Sequence, residues 1–233
     1  MQQSVDYIVV GGGSSGCALA GRLSESPDIS VLLLEAGGKG DNWLVNTPAA
    51  VVLQVPKKIN NWAFETVPQP GLGGRKGYQP RGKVLGGSSS INAMAYIRGH
   101  RMDYDEWASL GNSGWSYDEV LPYFKRAEDN RRLKDVFHGQ GGPLVVSDLQ
   151  TDNPFQQHYL DAAKQVGYPI STDFNGAEQE GVGLYQVTQE NGERWSAYRG
   201  YIKPHLDTRR NLHVETDALT QRILFEGKRA VGV

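Results

Sequence analysis

The sequence is short of cysteine, of long apolar runs and of net charge. Its single cysteine, Cys17, excludes an internal disulfide and a thiolate metal cluster, and we expect no metal site. No apolar segment approaches the ~20 residues that a membrane-spanning helix needs. The net charge of −2 argues against a general nucleic-acid binder, which usually presents a basic face. No basic, apolar leader precedes the first apolar segment, so we expect no secretory signal.

These absences favour a reducing, cytoplasmic setting, and they leave peripheral association at the inner membrane open. The 233 residues suffice for one large domain or two small ones. Hydrophobic residues make up 39% and charged residues 21%, as in an ordinary globular chain.

The first 35 residues have the pattern of a β-α-β unit. Residues 5–10 form a short apolar run that predicts a buried parallel strand. Residues 15–23 are rich in small side chains and predict a helix that packs closely on a sheet. Residues 30–35, rich in valine and leucine, predict a second strand. The unit predicts an α/β fold with a doubly wound, Rossmann-like sheet.

A glycine-rich turn joins this first strand to the helix. Gly11, Gly13 and Gly16 fit the pattern G-x-G-x-x-G, in which backbone approaches a pyrophosphate at a helix N-terminus. Glu35 ends the second strand, where a carboxylate suits a ribose diol and repels a 2′-phosphate. The alternative is a turn that serves only strand-to-helix packing. The motif alone does not separate NAD from FAD.

A second glycine turn lies about 70 residues further on, at Gly86–Ser89, between apolar flanks. Ser88 or Ser89 is placed to cap a helix carrying Ile91, Asn92 and Met94. Glycines here let backbone approach a flat ring system or a pyrophosphate. The alternative is a simple capped loop. With the first turn, this one suggests a long cofactor lying across both.

The remainder of the chain predicts further helices and a second sheet. Capping-box spacing at Asp103/Glu106 and Ser116/Glu119 marks two helix starts, and Asn153-Pro154 marks a third. The predicted segments are helices at 117–127, 155–166 and 196–202, and strands at 143–147, 181–188, 212–215, 222–225 and 229–233, the last two joined as a hairpin.

The segment Gly82–Asn92, followed by Tyr96–His100 and Asp105, resembles the first signature of the glucose–methanol–choline (GMC) oxidoreductases. Within that family the chain is most similar to bacterial aliphatic-alcohol and choline dehydrogenases. The similarity continues in five shorter segments: Asn61–Phe64, Pro80–Lys83, Pro122–Phe124, Gly142–Leu144 and Arg194–Ala197.

The resemblance implies FAD as the cofactor of an enzyme that oxidises a primary alcohol to an aldehyde. It also implies a small-molecule alcohol substrate and an electron acceptor, a quinone or oxygen. Choline is the alternative substrate. The implied cofactor-binding residues are Gly11, Gly13, Ser14, Ser15, Gly16, Glu35, Ala36, Trp62, Gly87, Ser88, Asn92, Ala93, Met94, Ala95 and Thr220.

One position argues for non-covalent FAD. Some family members attach FAD through a histidine just before the signature asparagine, and Ile91 stands there. The family's catalytic base is a histidine near the C-terminus of its members. We expect this chain to be part of a longer protein that carries that base beyond Val233. We therefore assign no catalytic residue here, and expect the five histidines of the chain to be structural.

The domain prediction is a first part of the FAD-binding domain at 1–142, a partial α+β substrate domain at 143–193, and a return to the FAD-binding domain at 194–233. Arg98 could meet either a phosphate or a carboxylate. Two rival functions stay open: an NAD-dependent Rossmann dehydrogenase, which the second glycine turn disfavours, and an inactive nucleotide-binding fragment.

Overall fold

A computed structural model describes residues 4–233. The strands are β1 (Tyr7–Val10), β2 (Val31–Leu34), β3 (Phe64–Glu65), β4 (Tyr78–Gln79), β5 (Ala95–Tyr96), β6 (Glu128–Asn130), β7 (Leu144–Asp148), β8 (Gln186–Val187), β9 (Gln189–Glu190), β10 (Glu193–Arg194), β11 (Leu212–Glu215), β12 (Leu224–Glu226) and β13 (Arg229–Gly232). The α-helices are α1 (Ser14–Leu23), α2 (Trp43–Asn46), α3 (Val51–Gln54), α4 (Arg101–Ser109), α5 (Tyr117–Ala127) and α6 (Pro154–Gln165).

The chain divides into two compact units. The first comprises the residues up to Ala93 together with Gly192–Val233, and the second comprises Met94–Asn191. The sequence places residues 94–142 in the FAD-binding domain, whereas in the structure they group with the second unit. The functional domain boundaries at 142 and 193 stay a prediction.

The first unit is built on a parallel sheet in the order β1-β2-β11. Tyr7 pairs with Val31, and Val31 pairs on its other side with Leu212. The predicted β-α-β unit is therefore present, and β11 extends it as a third strand. The central strand β2 has the continuous apolar sequence expected of a buried parallel strand, with Val31 and Leu33 fully buried.

The helix α1 lies close to its neighbours because its residues are small. Cys17 and Ala20 are fully buried in a core with Val9, Leu33 and Leu85. A Cβ built on Gly21 would lie 2.7 Å from the carbonyl oxygen of Tyr201, so the helix packs backbone to backbone there. The predicted helix at 196–202 is a π-helical turn over Tyr198–Ile202 that packs on α1.

The second unit holds a four-stranded sheet in the order β5-β8-β7-β6. The pair β6–β7 is parallel, and the pairs β7–β8 and β5–β8 are antiparallel. The strand predicted at 181–188 is confirmed only at Gln186–Val187, because Val182 makes only an isolated bridge and residues 183–185 have no regular structure. The mixed sheet with flanking helices confirms the predicted α+β character.

Capping side chains begin the helices of the second unit. Ser116 donates from its backbone N and its Oγ to Glu119 Oε2, which confirms the predicted capping box of α5. Asn153 accepts from Phe155 N and begins α6, as predicted. The Asp103/Glu106 prediction is wrong: the N-cap of α4 lies three residues earlier, at His100, which caps the helix and donates its backbone N–H to Asp103 Oδ2.

The predicted hairpin near the end of the described chain is confirmed, with β12 and β13 antiparallel around Gly227. The helix predicted after Ser88 is wrong. Gly87–Ser90 form only a 3₁₀ turn, and the chain then continues towards β5. Within residues 4–233, no helix has both the length and the apolarity needed to cross a membrane.

Candidate cofactor site

The N-terminus of α1 offers free backbone donors. Gly13 is the N-cap residue with extended backbone, and no side chain caps the helix. The first helical bond runs from Cys17 N to Gly13 O, so the N–H groups of Ser14, Ser15 and Gly16 have no acceptor within the helix. These donors and the helix dipole favour an anion.

The three motif glycines have three different roles. Gly11 has φ +95°, which a side chain would strain. A Cβ on Gly16 would lie 1.9 Å from the carbonyl oxygen of Gly11, so only glycine fits there. A Cβ on Gly13 would meet no atom within 4 Å. The space over Gly13 is thus open for a group that approaches the helix N-terminus.

Glu35 joins the turn to the end of β2. The residue is 5% exposed, and its carboxylate accepts hydrogen bonds from Gly12 N at Oε2 and from Gly37 N at Oε1, each at 2.8 Å. Its backbone carbonyl oxygen accepts from Ala218 N at 2.9 Å. Each carboxylate oxygen keeps a second lone pair, which a ribose hydroxyl can use.

The two glycine turns meet in the structure. Gly86 donates its N–H to the carbonyl oxygen of Gly12 at 2.7 Å. A Cβ on Gly87 would lie 2.6 Å from Gly13 Cα, and Gly87 has φ +53°. Two turns about 70 residues apart in the sequence are therefore in backbone contact. Together with the Glu35 segment they form what we call the glycine cradle: residues 11–16, 35–38 and 86–89.

The serines of the second turn hold the turn itself. Ser88 Oγ accepts from Gly82 N at 3.1 Å, and Ser89 Oγ donates to the Gly86 carbonyl oxygen and accepts from Ala197 N. The sequence predicted that Ser88 or Ser89 caps a helix. That prediction is wrong, because Gly86 begins the 3₁₀ turn and no side chain caps it.

Arg194 belongs to a segment that carries the family resemblance, but it is not among the predicted site residues. Its side chain is 1% exposed and binds the second turn and the α2 segment. Nη1 donates to Asn92 O at 2.8 Å, to Asn92 Oδ1 at 2.9 Å and to Ser89 O at 3.2 Å, and Nε donates to Val45 O at 3.0 Å. Arginine is mostly exposed in folded proteins, so nothing in the sequence indicated that Arg194 is buried.

The other predicted cofactor residues lie in several places. Trp62 stacks on Phe64 at 5.7 Å between ring centroids, and Lys83 Nζ lies 4.7 Å from the Trp62 ring centroid. Thr220 lies beyond the Ala218 contact, and its Oγ1 is buried without a hydrogen-bond partner among the described residues. For both residues the role towards an adenosine group stays a prediction.

Four predicted residues are small or lie elsewhere. Ala36 follows Glu35 within the glycine cradle, and Ala93 is exposed beside Asn92. Met94 and Ala95 belong to the second unit, where Met94 is buried with φ +63° and Ala95 begins β5. Their contacts to a cofactor stay a prediction.

The family model described as GMC oxidoreductase matches residues 5–233. The chain belongs to the GMC oxidoreductase family. It is 48% identical over 229 residues to the alcohol dehydrogenase [acceptor] of Pseudomonas putida, covering 98% of this chain and 41% of that protein. It is 47% identical over 234 residues to the mitochondrial choline dehydrogenase of Mus musculus, covering 97% and 39%. The chain therefore spans about two fifths of the curated relatives it matches.

Solved structures agree with this family assignment. A pyridoxine 4-oxidase from Mesorbium loti superposes with a TM-score of 0.92 at 34% identity, over 97% of this chain and 45% of that one. An FAD-dependent oxidoreductase from Chaetomium thermophilum gives 0.89 at 32% identity, over 98% and 41%. The predicted family and the α/β, Rossmann-like fold class are confirmed.

The glycine cradle fits the FAD that this GMC assignment supports. An open space lies over Gly13, the uncapped N–H groups of α1 are available to an anion, and Glu35 supplies a carboxylate at the end of β2. These three features match a pyrophosphate and a ribose in position and charge. The comparisons support FAD, and the absence of a covalent bond stays a prediction.

Four of the five histidines take part in caps, pairs or turns of the fold, and His158 is exposed on α6. His100 caps α4, and His138 lies in a buried ion-pair cluster of the second unit. His213 pairs with Leu32 inside the parallel sheet, and His205 follows the π-helical turn. We assign no histidine among residues 4–233 as a catalytic base.

The buried ion-pair cluster (Arg98, Glu128, Asn130, His138, Asp173 and Gln186) was missed by sequence reasoning. Glu128 Oε2 accepts from Arg98 Nη2 at 2.7 Å, which settles the partner of Arg98 as a carboxylate. His138 Nδ1 lies 3.0 Å from Glu128 Oε1, and its Nε2 lies 3.0 Å from Asp173 Oδ2. Both ring nitrogens thus face carboxylates, an arrangement that favours imidazolium over a metal ligand.

We predict that the second unit loses stability as the pH rises through about 9. Burial alone lowers the pKa of His138, but the hydrogen bonds and charges of Asp173 and Glu128 outweigh it and raise the pKa from 6.5 to about 9. A raised folded-state pKa gives stability that is complete below about pH 6.5 and lost as the pH passes 9. Hydrogen exchange of the β6–β7 amides between pH 7 and 10, corrected for the intrinsic pH effect on exchange, measures this loss.

His138→Gln serves as the control because glutamine has no titration in this range. The variant should be less stable at pH 7 and should show a flatter dependence between pH 7 and 10. An equal loss of stability in the variant would assign the effect to other groups.

Proposed function

We propose that this chain binds FAD in an enzyme that oxidises a primary alcohol to an aldehyde. The main observation in support is the hydrogen bond from Gly86 N to Gly12 O, which joins the two glycine turns into one cradle. In a Rossmann fold the first turn alone is enough for the pyrophosphate of a dinucleotide such as NAD. A second turn fixed on the first suits a cofactor that carries a further ring system, such as the isoalloxazine of FAD.

The residues of the glycine cradle orient the cofactor. Ser14, Ser15 and Gly16 would hold the pyrophosphate through their free backbone N–H groups, where the dipole of α1 adds positive potential. Glu35 would accept hydrogen bonds from the adenosine ribose while its carboxylate holds Gly12 and Gly37 in place. Arg194 fixes the Asn92 side chain by donating to its Oδ1. When bound, FAD accepts the hydride from the α-carbon of the alcohol.

Choline is the second candidate substrate. The 47% identity to a mitochondrial choline dehydrogenase is almost equal to the identity to the alcohol dehydrogenase. A trimethylammonium group needs an aromatic or anionic site. A primary aliphatic alcohol needs only an apolar one. Steady-state rates with choline and with a straight-chain alcohol of equal length would separate them in the complete protein.

The electron acceptor, a quinone or oxygen, also belongs to this proposal. A cytoplasmic location and peripheral association with the inner membrane stay predictions. The rival of an NAD-dependent dehydrogenase differs at the second turn, since NAD would leave the cradle at 86–89 without a partner.

Cofactor titration tests the proposal. We expect FAD added to flavin-free protein to bind saturably, with quenched flavin fluorescence and a bound visible band near ~450 nm, as in oxidised flavoproteins. NAD⁺ at equal concentration should not compete. Acid precipitation should then release all flavin to the supernatant, because Ile91 offers no nucleophilic atom for a covalent bond.

Each part of this experiment has an outcome that would contradict the proposal. Binding of NAD⁺ with no binding of FAD would support the Rossmann dehydrogenase instead. Failure of both would leave an inactive fragment. Flavin that precipitates with the polypeptide would show that the non-covalent prediction is wrong while leaving FAD itself in place.

A further inference from the structure

Arg194 is a buried cation for which the first unit provides no acid. Its guanidinium donates to the oxygens of Val45, Ser89 and Asn92, all of them neutral groups. Nη2 has no hydrogen-bond partner among the described residues. Burial lowers the pKa of Arg194 to about 10, with no carboxylate contributing to the shift.

Such an arrangement destabilises the fold by itself. Moving an unpaired cation out of water costs several kcal/mol, and buried charges are normally paired. Carbonyl oxygens recover part of that cost but leave the charge uncompensated. A neutral side chain of similar length would fill the same space. The burial of this charge therefore points to a use outside the fold itself.

The position of the charge indicates that use. Arg194 donates to Ser89 O and Asn92 O, so the guanidinium contacts the second glycine turn, which is itself part of the glycine cradle. Nη2 is sealed from solvent, so no ligand reaches it directly. The charge acts through the turn, and in a water-poor surrounding its field reaches further than in solvent.

We propose that Arg194 is a positioning residue that raises the reduction potential of the bound FAD. The inference rests on the proposed function. Hydride transfer brings two electrons and one proton to the flavin, while the hydroxyl proton of the alcohol goes to a base. The flavin thus gains one negative charge. A buried cation behind the second turn stabilises that reduced form over the oxidised one. The hydrogen bonds from Arg194 Nη1 to Asn92 O and Oδ1 fix the turn through which it acts.

The flavin potential of the FAD-loaded protein tests this, measured by equilibration with a reference dye. We expect Arg194→Met to shift the equilibrium at least tenfold towards oxidised flavin, which is about 30 mV for a two-electron couple. Arg194→Lys keeps the charge but loses the guanidinium donors that bond Val45, Ser89 and Asn92. It should weaken FAD binding and lower the melting temperature, yet change the dye equilibrium by less than threefold.

Arg209→Met is the matched control in the same unit. Arg209 Nη1 donates to Gly21 O and Ser24 Oγ at the opposite end of α1. Its loss should lower stability and leave the potential unchanged. If Arg194→Met does not yield folded protein, Arg194→Gln, which is also neutral and retains a donor, replaces it in the same comparison.

The outcomes separate the two proposals. Wild-type protein that binds no FAD refutes the proposed function. A wild type that binds FAD, with equal potential shifts in Arg194→Lys and the neutral variant, refutes this inference alone, because the charge would then have no effect. An unchanged potential in the neutral variant refutes it in the same way.

Discussion

Gly13→Asp should abolish FAD binding while leaving the fold intact. Gly13 has φ −74° and ψ −169°, which any residue adopts, and its Cβ would meet no atom within 4 Å. Aspartate is moreover a favoured N-cap residue. We therefore expect folding stability to be equal or higher by roughly a few tenths of a kcal/mol.

The loss of binding has two causes. The new carboxylate occupies the open space over Gly13 and accepts hydrogen bonds from the N–H groups that the pyrophosphate requires. It also places a negative charge against the phosphates. We expect the FAD dissociation constant to rise at least about 100-fold, or roughly 3 kcal/mol. Flavin fluorescence titration gives the affinity, and circular dichroism with thermal melting reports the fold.

Two further variants separate these causes. Gly13→Asn caps the helix without a charge and should weaken binding less than Gly13→Asp. Gly71→Asp adds the same charge where a Cβ also meets no atom within 4 Å, away from the glycine motif, and should bind FAD as the wild type does. Near-normal affinity of Gly13→Asp would exclude the N-terminus of α1 as the phosphate site.

Glu128→Ala should destabilise the second unit by about 3–5 kcal/mol. The Glu128 side chain is fully buried. It accepts from Arg98 Nη2, Asn130 Nδ2 and Gly139 N, and it pairs with the His138 ring. Removing it leaves the Arg98 cation buried without an acid and a backbone N–H without an acceptor. Losing one partner of a buried pair costs more than the pair itself contributes.

Urea unfolding followed by tryptophan fluorescence measures the change, and hydrogen exchange at Gly139 locates it. Asp118→Ala is the control in the same unit, since its contact to Arg101 is 3.6 Å long with both side chains more than half exposed. That variant should change stability by less than about 1 kcal/mol. A comparably small effect of Glu128→Ala would mean that solvent reaches the cluster.

Much of the cofactor side was readable from the sequence. The spacing of Gly11, Gly13 and Gly16 between an apolar strand and a helix of small residues determines one backbone geometry, because each glycine answers a separate steric demand. The strand at 212–215 and the hairpin around Gly227 followed equally from local pattern. Such features depend on neighbours in the chain, so local sequence suffices for them.

Other features needed the tertiary structure. The helix expected after Ser88 does not form, because Gly86 and Gly87 adopt positive φ and turn the chain onto Gly12 and Gly13. The capping box predicted to begin at Asp103 does not form; His100 is the N-cap residue instead, and its imidazole caps α4.

The sequence by itself determined the family, the glycine turn before α1 and the position of Glu35 at the end of β2, since these follow from short spacings along the chain. Only the tertiary structure decided that the two glycine turns touch, that Arg98 pairs with Glu128, and that Arg194 is buried without an acid. Burial and pairing depend on residues 30 to 150 positions away. No local pattern encodes such partners, because the surroundings of a charge are set only when distant segments meet.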